Sequence, residues 1–167
     1  MAPPYNERNQ SFTQRMIVQV RRSVPMLKVF LASHAHLASG LKSSLLIFMS
    51  ECPNLTTYDA YTDGDTTTVQ EHLDAFYETV EEDDEVLLLS DIYGGSVNTV
   101  MCGYLDRPNT RLVAGVNLAF LIEVMAEDTL SDERLDQVIQ NSRDFLRRVE
   151  LDAPAATAAA NSEDDFF

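Results

Sequence analysis

Apolar residues recur along this chain with two different rhythms. Two runs, MLKVFLAS at 26–33 and EVLLLS at 85–90, are almost unbroken in apolar residues and short. Such runs predict strands covered on both faces, as in a parallel sheet. Weaker runs at 55–61 and 110–114 predict two further strands. Between the runs the spacing changes to that of a helix. Leu37, Leu41, Leu45 and Phe48 fall on one helical face within 37–50, and Ile47 and Met49 widen it. Pro53 and Asn54 end that segment.

Val69, Leu73, Phe76 and Val80 mark a second helix, which Thr68 and Glu71 open as a capping box. The acidic run at 81–85 opposes a helix dipole and is assigned mostly to a loop. Ser96 is placed as the N-cap of a third helix reaching about Leu105. Leu118, Leu121, Ile122 and Met125 mark a fourth. A last helix starts at Ser131 or Asp132 and is expected to reach Glu150, with Leu135, Val138, Ile139, Leu146 and Val149 inward. The order βαβαβαβα predicts a single α/β domain, doubly wound, with a mainly parallel sheet and helices on both faces. Its boundaries are set at 26–151. Residues 1–25 read as a polar, locally basic N-terminal extension, and 152–167 as an acidic, Ala-rich disordered tail.

Charge narrows the partners. The formal net charge of −15 argues against nucleic acid, whose binding rests on Lys and Arg. It suits a basic protein partner instead. Cys52 and Cys102 stand alone, without CxxC or zinc spacing. Together with the lack of a long apolar span and of a signal-peptide pattern, this places the expected protein in the cytoplasm.

The candidate chemistry lies in two turns. FLASHAHLASG at 30–40 leaves the first strand with His34, and LLLSDIYGGSVN at 87–98 leaves the third with Asp91, Gly94, Gly95 and Ser96. In a parallel sheet these turns meet at the carboxyl edge, where ligands bind. A neutral imidazole has one free nitrogen and can act as a nucleophile toward phosphorus. Asp91 is the expected orienter of His34, fixing the proton on the other nitrogen. Gly94, Gly95 and the Ser96 hydroxyl are expected to meet the phosphate, and Ser33 to add a hydroxyl beside the histidine. The expected product is a phosphohistidine. His36 ranks second as nucleophile because it sits at the helix start and faces elsewhere, and His72 is read as a helix surface residue. A zinc site of His34, His36 and Asp91 ranks below both. A Ser96 nucleophile lacks the G-x-S-x-G elbow.

Three segments in order, LASHAHLASGLKSSLLIF, LLLSDIYGGSVNTV and LVAGVNLAFLIEVM, resemble the IIA domain of the mannose/fructose/sorbose family of the sugar phosphotransferase system. The resemblance implies a phosphocarrier, a phosphotransferase in the broad sense. It implies that His34 accepts a phosphoryl group from HPr and passes it to a sugar-specific IIB component, with membrane IIC and IID components acting indirectly. It also implies a homodimer with an exchanged edge strand and no cofactor or metal. Asn117, in the matching GVN segment, is assigned to shaping the neighbouring loop and dimer contact. Alternatives of the same kind are a phosphocarrier subunit of a dihydroxyacetone kinase and a regulatory module without transfer. The chain departs from the family pattern at Ala35, where Gly is usual, and at Val97 and Ala119, where Pro is common.

Overall fold

Strands form where the unbroken apolar runs lie. The computed structural model describes residues 25–150. The extension expected at 1–25, apart from Pro25, and the tail expected at 152–167 therefore lie outside the described residues. Strand β1 spans Leu27–His34, β2 Leu55–Ala60, β3 Glu85–Ser90 and β4 Thr110–Ala114. All three pairings are parallel, in the order β2-β1-β3-β4. Helices α1 (Leu37–Leu45), α2 (Val69–Tyr77), α3 (Ser96–Cys102), α4 (Leu118–Val124) and α5 (Asp132–Arg143) connect and follow them.

The lack of alternation in β1 and β3 has a direct cause: both of their faces are covered. Leu27, Val29, Leu31, Leu87 and Leu89 join a core with α1, α4 and α5. Phe30, Ala32, Val86 and Leu88 join another with α2 and α3. The α/β class and the two-faced sheet are as expected. Strand order reverses direction between β1 and β3, since β2 lies on one side of β1 and β4 beyond β3. The carboxyl ends of β1 and β3 therefore flank a topological switch point, the crevice where α/β sheets bind ligands.

Three expectations about helices are corrected. The first helix stops at Leu45, and tight i to i+3 bonds follow it, Ile47 N–H to Ser44 O and Phe48 N–H to Leu45 O. Ala38, Leu41 and Leu45 face the core, while Leu37 and Phe48, expected inward, are exposed, as is Ile47. The last helix ends at Arg143, not Glu150, and Leu146 and Val149 are exposed. There the Ser142 carbonyl takes hydrogen bonds from Phe145 N–H and the Asn117 side chain instead of continuing the helical ladder. The third helix is capped by Gly95, with Ser96 its first residue. The Thr68–Glu71 capping box forms as expected, each side chain accepting the other residue's backbone N–H.

Candidate functional site

His34 is the last residue of β1, so the register of a buried strand fixes its backbone. Asp91 follows directly after β3. Its Oδ2 accepts two hydrogen bonds from His34, one from the backbone N–H at 2.9 Å and one from ring Nδ1 at 2.8 Å. A carboxylate only accepts, so in the neutral ring Nδ1 carries the proton and Nε2 carries the lone pair. Oδ1 accepts the Ile92 N–H at 2.9 Å. The Asp91 side chain is nearly buried, while the imidazole is 42% exposed. Burial pushes the Asp91 carboxyl up, but the His34 backbone and ring hydrogen bonds outweigh it and hold the group below the usual carboxylate range.

The turn after β3 meets the other side of the ring. Ser96 Oγ lies 3.0 Å from Nε2. With Nε2 unprotonated, the serine hydroxyl is the donor in this contact. Gly95 packs so closely that a Cβ would stand 2.7 Å from Ile92 Cγ2 and 3.3 Å from His34 Cε1. A side chain here would displace the ring or Ile92, so glycine is required by close approach. Gly94 takes φ +73°, which makes the turn. Its N–H donates to Asn98 Oδ1 at 3.0 Å, and buried Asn98 also donates to Ser90 Oγ at 3.1 Å. The Gly95 N–H points to Ile92 O at 3.4 Å. The expectation that these two glycine N–H groups stand free for an anion is thus corrected, because the turn engages both. The polar group presented at Nε2 is the Ser96 hydroxyl.

Ser33 is not brought to that face. It is fully buried, and its Oγ accepts the Ala38 N–H at 2.7 Å within the first turn of α1. Its place beside His34 in the sequence does not put its hydroxyl beside the ring, because successive strand residues point to opposite faces. Ala35 has φ +48°. The position does need the left-handed region, where an alanine is strained.

His36 caps α1 and pairs elsewhere, with Nδ1 3.0 Å from Asp59 Oδ2. Asp59 also accepts from Ser39, at 2.9 Å from its N–H and at 2.5 Å from its hydroxyl. His72 is only partly a surface residue, since its ring stacks on Tyr58 with centroids 3.8 Å apart. Among the described residues, no group of three or more His, Cys, Asp or Glu is placed to hold a metal ion. His34 and His36 use different carboxylates, so the three-residue zinc set is not assembled. Asn117 caps α4, accepting the Phe120 N–H at 2.8 Å, and ties it to the end of α5 through Ser142 O at 3.2 Å.

One neighbour was read only as the end of the weak run at 55–61, which as a strand stops at Ala60. Tyr61, just past β2, donates its hydroxyl to Ser96 Oγ at 3.0 Å. Its ring centroid lies 5.4 Å from that of His34. Only the parallel pairing of β2 with β1 brings it to this edge.

Comparison with known proteins adds independent findings. The family described as PTS system fructose IIA component (EIIA-man) matches residues 28–142. The PTS system fructose-specific EIIA component of Bacillus subtilis (strain 168) is 28% identical over 102 residues, covering 60% of this chain and 70% of that protein. The mannose/sorbose specific IIA subunit from Enterococcus faecalis superimposes with a TM-score of 0.64 at 23% identity, over 77% of this chain and 98% of the other. A PTS IIA protein associated with the fucose utilization operon of Streptococcus pneumoniae gives 0.65 at 22% identity, over 74% and 93%. At these identities the structural matches speak for the fold.

Proposed function

This chain belongs to the EIIA-man family of the phosphotransferase system, and we propose that it is a phosphocarrier that takes a phosphoryl group on His34 Nε2 from phospho-HPr and passes it to a IIB component during sugar uptake. The observation that carries this reading is the two-sided hold on one imidazole, with Asp91 at Nδ1 and Ser96 at Nε2, at the switch point of the sheet.

The chemistry follows from that hold. Nε2 attacks phosphorus in line, an N–P bond forms, and the bond to the donor atom breaks with its electron pair leaving on the donor. Nε2 has no proton to lose. Nδ1 keeps its own, so positive charge builds on the ring while Asp91 accepts the Nδ1–H. A hydrogen bond of this charge-assisted kind contributes about 1.5–3 kcal/mol. The Ser96 hydroxyl supplies a donor for a phosphoryl oxygen. Transfer to IIB runs the same steps in reverse.

The partners are HPr and IIB, with the membrane IIC and IID components acting indirectly, and the setting is the cytoplasm. A homodimer belongs to the same reading. It would engage the outer edge of β4, the last strand in the order, or the exposed Phe145, Leu146 and Val149.

Acid-labile labelling tests the proposal. The full chain, His34→Ala and His36→Ala are incubated with phosphoenolpyruvate, enzyme I and HPr, with a working IIA protein alongside. Label retained in His36→Ala and lost in His34→Ala is the expected outcome. An unlabelled native chain beside a labelled control would overturn the carrier role.

A further inference from the structure

Resting on the phosphocarrier reading of His34, we infer that Tyr61 is a positioning residue that aims the Ser96 hydroxyl at the reacting nitrogen and then at the phosphoryl group. Four polar groups form one directed line. The Tyr61 hydroxyl donates to Ser96 Oγ at 3.0 Å, Ser96 Oγ meets His34 Nε2 at 3.0 Å, and His34 Nδ1 meets Asp91 Oδ2 at 2.8 Å. In the neutral ring, with Asp91 fixing the proton on Nδ1, the three hydrogen bonds run from Tyr61 to Ser96, from Ser96 to Nε2 and from Nδ1 to Asp91. Ser96 and His34 each accept one bond of the line and donate the next, so the bonds polarise one another in the same sense.

Two features set Tyr61 apart from an ordinary loop aromatic. Its backbone sits at φ +63°, an outlying conformation for a bulky side chain. Such strain persists where surrounding structure over-determines it, often at functional sites. Moreover, the residue is 62% exposed, so its hydroxyl has water available as a partner. It nevertheless rests on Ser96. The hydroxyl, rather than burial of the ring, is what this conformation presents to the site.

The role follows from a conflict at Nε2. In the resting chain the Ser96 O–H occupies the lone pair that must attack phosphorus. For the N–P bond to form, that hydrogen has to turn toward a phosphoryl oxygen while the serine oxygen stays in place. A donor fixed on the far side of Oγ allows this, since Tyr61 holds the oxygen and leaves the hydrogen free to rotate. No proton is lost from Nε2, and the donor departs with the electron pair of its broken bond. After transfer the same contact keeps Ser96 on the phosphoryl group.

The test uses the full chain, Tyr61→Phe, Ser96→Ala and the double variant. Three readouts are taken: the His34 Nε2 nitrogen-15 resonance before phosphorylation, the rate of labelling by phospho-HPr and by phosphoramidate, and the lifetime of the phosphohistidine. Loss of one net hydrogen bond predicts a fall in labelling rate and lifetime of about three- to tenfold in Tyr61→Phe. The Nε2 resonance should shift in the same variant, and Tyr61→Phe should add nothing in the Ser96→Ala background. Unchanged resonance, rate and lifetime in Tyr61→Phe would overturn the inference, as would an equal effect with Ser96 absent. If phosphoramidate labels His34 but phospho-HPr does not, the HPr-dependent reading fails and Tyr61 is judged on resonance and lifetime. If neither donor labels His34, both proposals fall.

Discussion

Two histidine–aspartate pairs stand on the same edge of the sheet, and they differ in everything except the pair itself. In each, Nδ1 meets an aspartate Oδ2, at 2.8 Å for His34–Asp91 and 3.0 Å for His36–Asp59. Both carboxylates lie at the carboxyl end of a strand, Asp59 next to last in β2 and Asp91 just after β3. Yet the His34 ring lies in the switch-point crevice, with Ser96 on its second nitrogen and Gly95 against its edge. The His36 ring is 78% exposed and stands at the β2 side of the sheet. Asp59 is committed largely to α1, whose first turn it holds through Ser39. The difference teaches that orienting an imidazole is common and inexpensive. What singles out His34 is a donor at the free nitrogen and a position at the switch point between β1 and β3, whose following helices cover opposite faces of the sheet.

The sharpest way to break this comparison is to remove the charge from each aspartate in turn. Asp91→Asn should lower the rate of phosphorylation by roughly 10²- to 10⁴-fold, because an amide can orient the wrong tautomer and does not stabilise the charged ring. Asp59→Asn should change that rate less than about threefold and instead weaken the start of α1, with a loss of about 1 kcal/mol as for other helix caps. Stopped-flow transfer from phospho-HPr and urea melts separate the two. Comparable losses of rate in both variants would erase the distinction.

Acid sharpens it more gently. Burial raises both carboxyls, but hydrogen bonds from His34 and Ile92 hold Asp91 below its usual 3.8, and those from Ser39 and His36 do the same for Asp59. Both groups therefore bind protons less readily folded than unfolded. Their stabilisation is fully present above the unfolded value and is lost as pH falls through the lowered folded values. Urea midpoints measured from pH 6 down to about 2.5 should fall with acid, and each Asp→Asn variant should flatten that fall. Identical acid limbs in all three proteins would contradict the assignment.

The smallest effect concerns the turn that separates the two histidines. Ala35 holds φ +48°. Ala35→Gly relieves a left-handed strain of about 1–2 kcal/mol but adds unfolded-state entropy of about 0.5–1 kcal/mol. A net gain of about 0.5 kcal/mol is expected in the denaturant midpoint, with labelling still confined to His34. A loss of stability would show that the strain is not borne at this residue.

Much of this was legible in the chain before any fold was known. Nearly unbroken apolar runs announced β1 and β3 as buried on both faces, since successive strand residues point to opposite faces and apolar residues occupy both. The Thr68–Glu71 spacing announced a helix start, because a capping box needs only local geometry. His34 and Asp91 were legible as a pair because parallel connectivity sends both turns to one edge. Other features depend on contacts between distant segments. Ser33 and Ser96 look alike as serines near a turn, but only packing shows one buried under α1 and the other on Nε2. The glycine N–H groups look free in sequence, until Asn98 closes the turn from within α3. The helices at 37–50 and 131–150 were overrun because apolar periodicity continues past the point where a neighbouring surface remains to receive it. Tyr61 entered the pattern only as the last residue of the weak run at 55–61, and its place at the site arises from the register of β2 on β1. Sequence thus determined which segments pair with water and which with one another, through local propensity and periodicity. The tertiary structure decided which polar atoms face the reacting nitrogen, because hydrogen bonds form at about 3 Å and one residue of register moves a side chain to the opposite face.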